Sequence, residues 1–120
     1  MATFTKSILS GSTDGRAIKV AAAGTPGTLI HTGSTTPATL HEVWLYAMNS
    51  AGTTPIKTTI EWGGVTNPDD HIEFSVMPES GLTLLVPGLI IKGNATPLLV
   101  RAFAASANAV TIHGFVNVIA

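Results

Sequence analysis

The side chains best suited to chemistry in this chain are four histidines, His31, His41, His71 and His113, together with the carboxylates Glu42, Glu61, Asp69, Asp70, Glu73 and Glu79. A metal centre inside a cupin-type barrel needs a His-x-His pair with a following Glu on one strand, so that ligands two apart share a face. Here Glu42 follows His41 at once and points the other way. The Gly-rich turn between Gly81 and Gly88 is not followed by a histidine. The spacing therefore predicts no bound metal, and single surface or satisfied histidines instead. Glycosidase chemistry needs two carboxylates several ångströms apart in a cleft, and nothing in the spacing isolates such a pair. Asp69-Asp70 follows Pro68 and reads as a solvated loop pair, far short of a calcium shell of six to eight oxygens. There is no Gly-x-Ser-x-Gly elbow and no Gly-rich phosphate loop. No catalytic residue, metal or cofactor is expected.

The aromatic residues offer a different chemistry. Trp44, Tyr46 and Trp62 could form a sugar-stacking platform, but at strand spacing such residues more often pack in a core or an interface. Their setting decides. In Leu40–Gly64, Val43, Leu45 and Ala47 alternate with Trp44, Tyr46 and Met48, which gives a strand apolar on both faces. Such a strand needs cover from the core on one side and from a neighbour on the other. Trp44, Tyr46 and Met48 are thus the expected oligomer interface. Downstream, Ile56, Thr58, Ile60 and Trp62 alternate with Lys57, Thr59 and Glu61, the pattern of one buried and one wet face. Asn49-Ser50-Ala51-Gly52 supplies turn chemistry between the two runs. The expected unit is a β-hairpin, with Trp62 packed on its buried side.

The remaining chain repeats this grammar. Phe4 and Ile8 share a parity in an N-terminal segment, residues 1–15, that reads as an arm or an edge strand. Residues 16–120 read as a single domain of short alternating runs, punctuated by Gly, Pro, Asn and Ser. Leu82–Val86 and Leu89–Lys92 are two strands expected on either side of a Pro87-Gly88 bend. Ile56, Ile60, Ile72, Phe74, Val76, Val110, Ile112, Val116 and Val118 form the expected core. No segment sustains a helical period. The fold class is all-β, an antiparallel β-sandwich of jelly-roll type, with roughly nine or ten strands.

Composition narrows the partners. The 120-residue chain has no Cys, a net charge of −1, 11% charged and 45% hydrophobic residues. No disulfide or thiolate site is available, and no basic stripe exists to bind nucleic acid. The apolar run Leu82–Ile91 is broken by Pro87-Gly88 and is too short to span a bilayer. Met1-Ala2-Thr3-Phe4 shows neither the basic nor the apolar region of a signal peptide, so assembly in a cytoplasm is the expectation. Low charge with high hydrophobicity implies a surface covered by partners.

From Leu40 onward the chain resembles small β-rich structural proteins of tailed bacteriophages. The likeness is carried by EWGG-x-x-x-PDD (Glu61 to Asp70), PESGLTLLVPGL (Pro78 to Leu89), VRAFAASAN (Val100 to Asn108) and HGFVN (His113 to Asn117). These motifs are structural rather than chemical. The resemblance implies a non-enzymatic virion component at the capsid surface. Its implied role is that of a decoration or cement protein, a homotrimer bound to the major capsid protein, with Phe4 and Ile8 as contacts of an arm that orders on the shell. A carbohydrate- or receptor-binding module on a tail or head fibre is the alternative it leaves open.

Overall fold

A computed structural model describes residues 2–120. The described residues form nine strands and no helix: β1 (Phe4–Ile8), β2 (Ile18–Lys19), β3 (Thr28–Thr32), β4 (Leu40–Asn49), β5 (Ile56–Trp62), β6 (His71–Val76), β7 (Thr83–Lys92), β8 (Leu99–Ala104) and β9 (Val110–Ile119). They pair antiparallel in two sheets. The larger runs β1-β9-β4-β7, with β2 also on β9; the smaller runs β3-β8-β5-β6. The chain is an all-β sandwich. Among the described strands, β5 and β6 are the one consecutive pair that is also hydrogen-bonded, and most other connections cross from sheet to sheet.

Strand alternation places the core between the sheets. Val43, Leu45 and Ala47 of β4, with Val110, Ile112 and Val116 of the neighbouring β9, face Ile56 and Ile60 of β5 and Val100, Ala102 and Ala104 of β8; all are buried. Most of the core expected from the sequence is found there. Ile72, Phe74, Val118 and Trp62 are partly buried and pack against it. Leu9, Val20 and Ile30 complete it from outside the strongly alternating runs.

Three expectations are corrected. Leu40–Gly64 is not a hairpin: β4 and β5 lie in different sheets. Both edges of β4 are already paired, one with β9 and the other with β7, so no edge is left for β5. The chain passes over the end of the sandwich instead. Asn49, 3% exposed, holds that crossing by donating to the carbonyls of Thr54 and Val76, both at 2.9 Å, and accepting from Ala51 N–H. Secondly, Pro87-Gly88 does not divide two strands. β7 runs through it with a register shift opposite Val43 and Trp44, as an edge strand can, because Pro there need not donate to the ladder. Thirdly, the wet face expected on β5 is dry at Thr59 and Glu61, which are 1% and 0% exposed. The cause is a strap, residues 22–27, that crosses the outer face of the smaller sheet.

Candidate interaction face and the strapped face opposite

In antiparallel sheets, directly paired residues share a face, so the register reads out the outer surface of the larger sheet. Across β4 and β9, Trp44 stands beside Phe115, Tyr46 beside His113, Met48 beside Thr111 and Glu42 beside Asn117. β1 adds Ile8 beside Phe115, Lys6 beside Asn117 and Phe4 beside Ile119. β7 adds Leu84 beside Tyr46, Pro87 beside Trp44 and Ile90 beside Glu42. The residues expected at an oligomer interface (Trp44, Tyr46, Met48) and those expected to contact a shell (Phe4, Ile8) therefore lie on one continuous face. Phe4 is 71%, Ile8 47%, Leu84 41% and Ile90 45% exposed.

That face is pre-organised at its centre. Trp44 and Phe115 lie nearly parallel, with ring centroids 6.0 Å apart. The indole rests on Gly88, where a Cβ would sit 3.0 Å from Cε2 and Cζ2 of the ring; Gly88 also has a φ of 77°, a region that favours glycine. Trp44 Nε1–H and Asn117 Nδ2–H both donate to Glu42 Oε1 at 2.8 Å. Those two bonds, Trp44 first, hold the Glu42 carboxyl below its ordinary pKa. The Lys6 ammonium lies 4.7 Å from the Phe115 centroid.

The outer face of the smaller sheet is built differently. Glu61 accepts from Thr25 Oγ1–H and from Gly27 N–H, both at 2.6 Å. Its register neighbours are Arg101 on β8 and His71 on β6. Arg101 donates to Gly27 O at 3.1 Å, so the two strands grip opposite ends of one strap residue. Gly27 can come that close because it lacks a Cβ, which would sit 2.5 Å from Ala102 O. His71 Nε2 lies 3.6 Å from Glu61 Oε2, and the ring packs edge-on to Phe103. Beside it, a cleft of about 270 Å³ is lined by Lys57, Thr59, Asn67, His71, Glu73 and Phe103, among others. Sequence reasoning missed Glu61 and Arg101 as a unit. Their local pattern is that of a solvated strand, and the strap that covers Glu61 lies far away in sequence.

The other two histidines meet between the sheets. Ser10 N–H donates to His31 Nδ1 at 3.0 Å, and His31 Nε2 lies 2.8 Å from His41 Nδ1. The first bond fixes the proton of His31 on Nε2, so His31 donates and His41 accepts. His31 is 4% exposed. Burial, with His41 beside it, lowers its pKa from 6.5 to about 4, and burial lowers that of His41 as well. The pair ties β3 to β4 and pins the segment that follows β1, where Thr32 N–H donates to Ser10 Oγ and Gly11 N–H to Ile30 O. Among the described residues, no three His, Cys, Asp or Glu side chains converge as metal ligands.

No protein-family model, no curated protein and no solved structure matches this chain.

Proposed function

We propose that this chain is a non-enzymatic structural protein that works by docking the outer face of its larger sheet, and that it decorates a bacteriophage head. In this reading the face carrying Phe4, Ile8, Trp44, Tyr46 and Met48 seats copies of the chain against one another, as a trimer, and against the major capsid protein. The observation that carries the reading is that this face presents exposed apolar side chains, Phe4, Ile8, Leu84 and Ile90, around a pre-organised, half-buried Trp44–Phe115 stack, whereas the opposite face carries its own strap. Large exposed apolar surface rimmed by few charges marks an interaction site. The phage assignment rests on the resemblance of Glu61 to Asp70, Pro78 to Leu89, Val100 to Asn108 and His113 to Asn117 to small phage structural proteins.

The strand order supports a jelly-roll reading of the sandwich. If β1 and β2 count as one interrupted strand, the order β1/β2-β9-β4-β7 over β3-β8-β5-β6 is that of an eight-stranded double sheet. Such a module is rigid, and closed cyclic symmetry suits repeated sites on a shell. Occupying many lattice sites would stabilise the shell by mass action.

The test is to delete the protein from phage heads and heat the particles. Heads lacking it are expected to release their genome at a lower temperature, and adding the protein back should restore the midpoint. Heads that melt unchanged would exclude a reinforcing role. If those heads also lose host attachment, the protein is a receptor-binding module of a tail or head fibre.

A further inference from the structure

We propose that the cleft on the strapped face, between His71, Phe103 and the Lys57–Glu73 pair, binds a small uncharged polyhydroxy ligand: a single saccharide ring. The volume, about 270 Å³, lies just under the usual range for drug-sized ligands and fits one ring. The chemistry of the lining selects the class. His71 Nε2 is buried and without a hydrogen-bond partner, and the nearest acceptor is the fixed carboxylate Glu61 Oε2, 3.6 Å away. The Nε2–H tautomer is the one that faces this anion favourably, which leaves Nδ1 as an acceptor for a hydroxyl proton. Phe103, braced edge-on by His71, contributes an apolar surface to the same cleft. The C–H face of a sugar can lie against such a ring.

Charge excludes the other ligand classes. At the rim, Lys57 Nζ and Glu73 Oε2 pair at 2.9 Å, with side chains 62% and 51% exposed. An exposed pair costs little to open, so both groups can turn to a ligand. Together they are neutral, and Glu61 adds a negative charge behind His71. Arg101, the register neighbour of Glu61, offsets that carboxylate, so the surround sums to zero and draws neither an anion nor a cation. A neutral hydroxylated ring can accept from Lys57, donate to Glu73 and His71, and do both with the Asn67 amide. The cleft opens on the smaller sheet and the apolar face belongs to the larger one, so both can be occupied at once. This inference does not rest on the phage reading and can fail without it.

The experiment is an amide-resolved NMR titration of the full chain with methyl glycosides of common hexoses and N-acetylhexosamines. Saturable shifts are expected at residues 57–59, 67–73 and 103–105, with a Kd of about 1–10 mM, as weak single-ring recognition gives. Glu73→Gln and Lys57→Met alter exposed side chains and should leave the melting temperature unchanged while weakening binding about fivefold or more. The proposal is overturned if no glycoside gives saturable shifts up to about 50 mM, well above that range. It is equally overturned if both variants bind like the parent, or if the shifts centre on Trp44 and Phe115.

Discussion

The two outer faces of this sandwich solve the same problem in opposite ways. On the smaller sheet the chain covers its own strands. Residues 22–27 cross them, and Glu61 and Arg101 hold Gly27 by its N–H and its carbonyl. On the larger sheet, among the described residues, no such strap is hydrogen-bonded across the same positions: Phe4 and Ile8 stand exposed, and Trp44, Tyr46 and Phe115 half-buried. The covered face buries a carboxylate; the bare face carries its large apolar side chains around the Glu42–Asn117 pair. A buried carboxylate is tolerable because its partners come from the same chain; the exposed apolar side chains are what the proposed docking would cover.

The sharpest way to break this contrast is to remove the cover. Glu61→Ala strips Gly27 N–H and Thr25 Oγ1 of their acceptor and leaves Arg101 and His71 without their central anion. Leaving these donors without an acceptor costs about 1–3 kcal/mol each, so a loss of about 2–5 kcal/mol is expected, to be read from urea denaturation. A loss under about 1 kcal/mol would mean that the strap is held by something else.

Acid comes next, and it acts at the joint between the sheets. The folded pKa of His31, about 4, lies below its ordinary 6.5. The unfolded chain therefore takes up a proton that the native state resists. Its contribution is fully present above pH 6.5, falls as pH drops toward about 4, and levels off below that. At 1.36 kcal/mol per unit the loss approaches about 3 kcal/mol. Because His31 bonds Ser10 N–H, hydrogen exchange should rise first in β1, on the bare face, while the strap stays protected. His31→Gln should flatten the pH dependence across that window.

Substitutions on the bare face should move association far more than stability. Trp44→Ala removes a half-buried ring stacked on Phe115 and is expected to lower stability by about 1–2 kcal/mol. Phe4→Ser with Ile8→Ser should change it by about 0.5 kcal/mol or less. Light scattering is expected to find the parent as a trimer and the Trp44 variant as a monomer. A parent that is monomeric at every concentration would remove self-association from the reading and leave docking on a partner alone.

What the sequence made legible follows from what a local pattern can see. The alternation of Val43, Leu45 and Ala47 with Trp44, Tyr46 and Met48 states both faces of β4, because a two-residue period is local. Whether Asn49 to Gly52 returns the chain beside β4 or carries it to the other sheet is not local. It depends on β9 and β7 having claimed both edges first. Glu61 fails for the same reason: its parity with Lys57 is visible, but the strap from residues 22–27 is not. Pro87-Gly88 was legible as an irregularity, yet its effect depends on lying at an open sheet edge, with an indole resting on the glycine.

The pairing of β9 also sets a schedule. β1 and β2 have β9 as their sheet partner, and β9 is the last strand in the chain. At about 5–20 residues per second of synthesis, β1 waits several seconds for the strand that receives it. Through that interval Phe4 and Ile8 emerge with no native surface to meet, on a segment carrying a single charge, Lys6, between them. The smaller sheet can close one strand earlier, when β8 arrives. The β4–β7 half of the face, with Tyr46 beside Leu84 and Trp44 beside Pro87, can thus form before the half that carries Phe115, Phe4 and Ile8, which is completed only when β9 arrives.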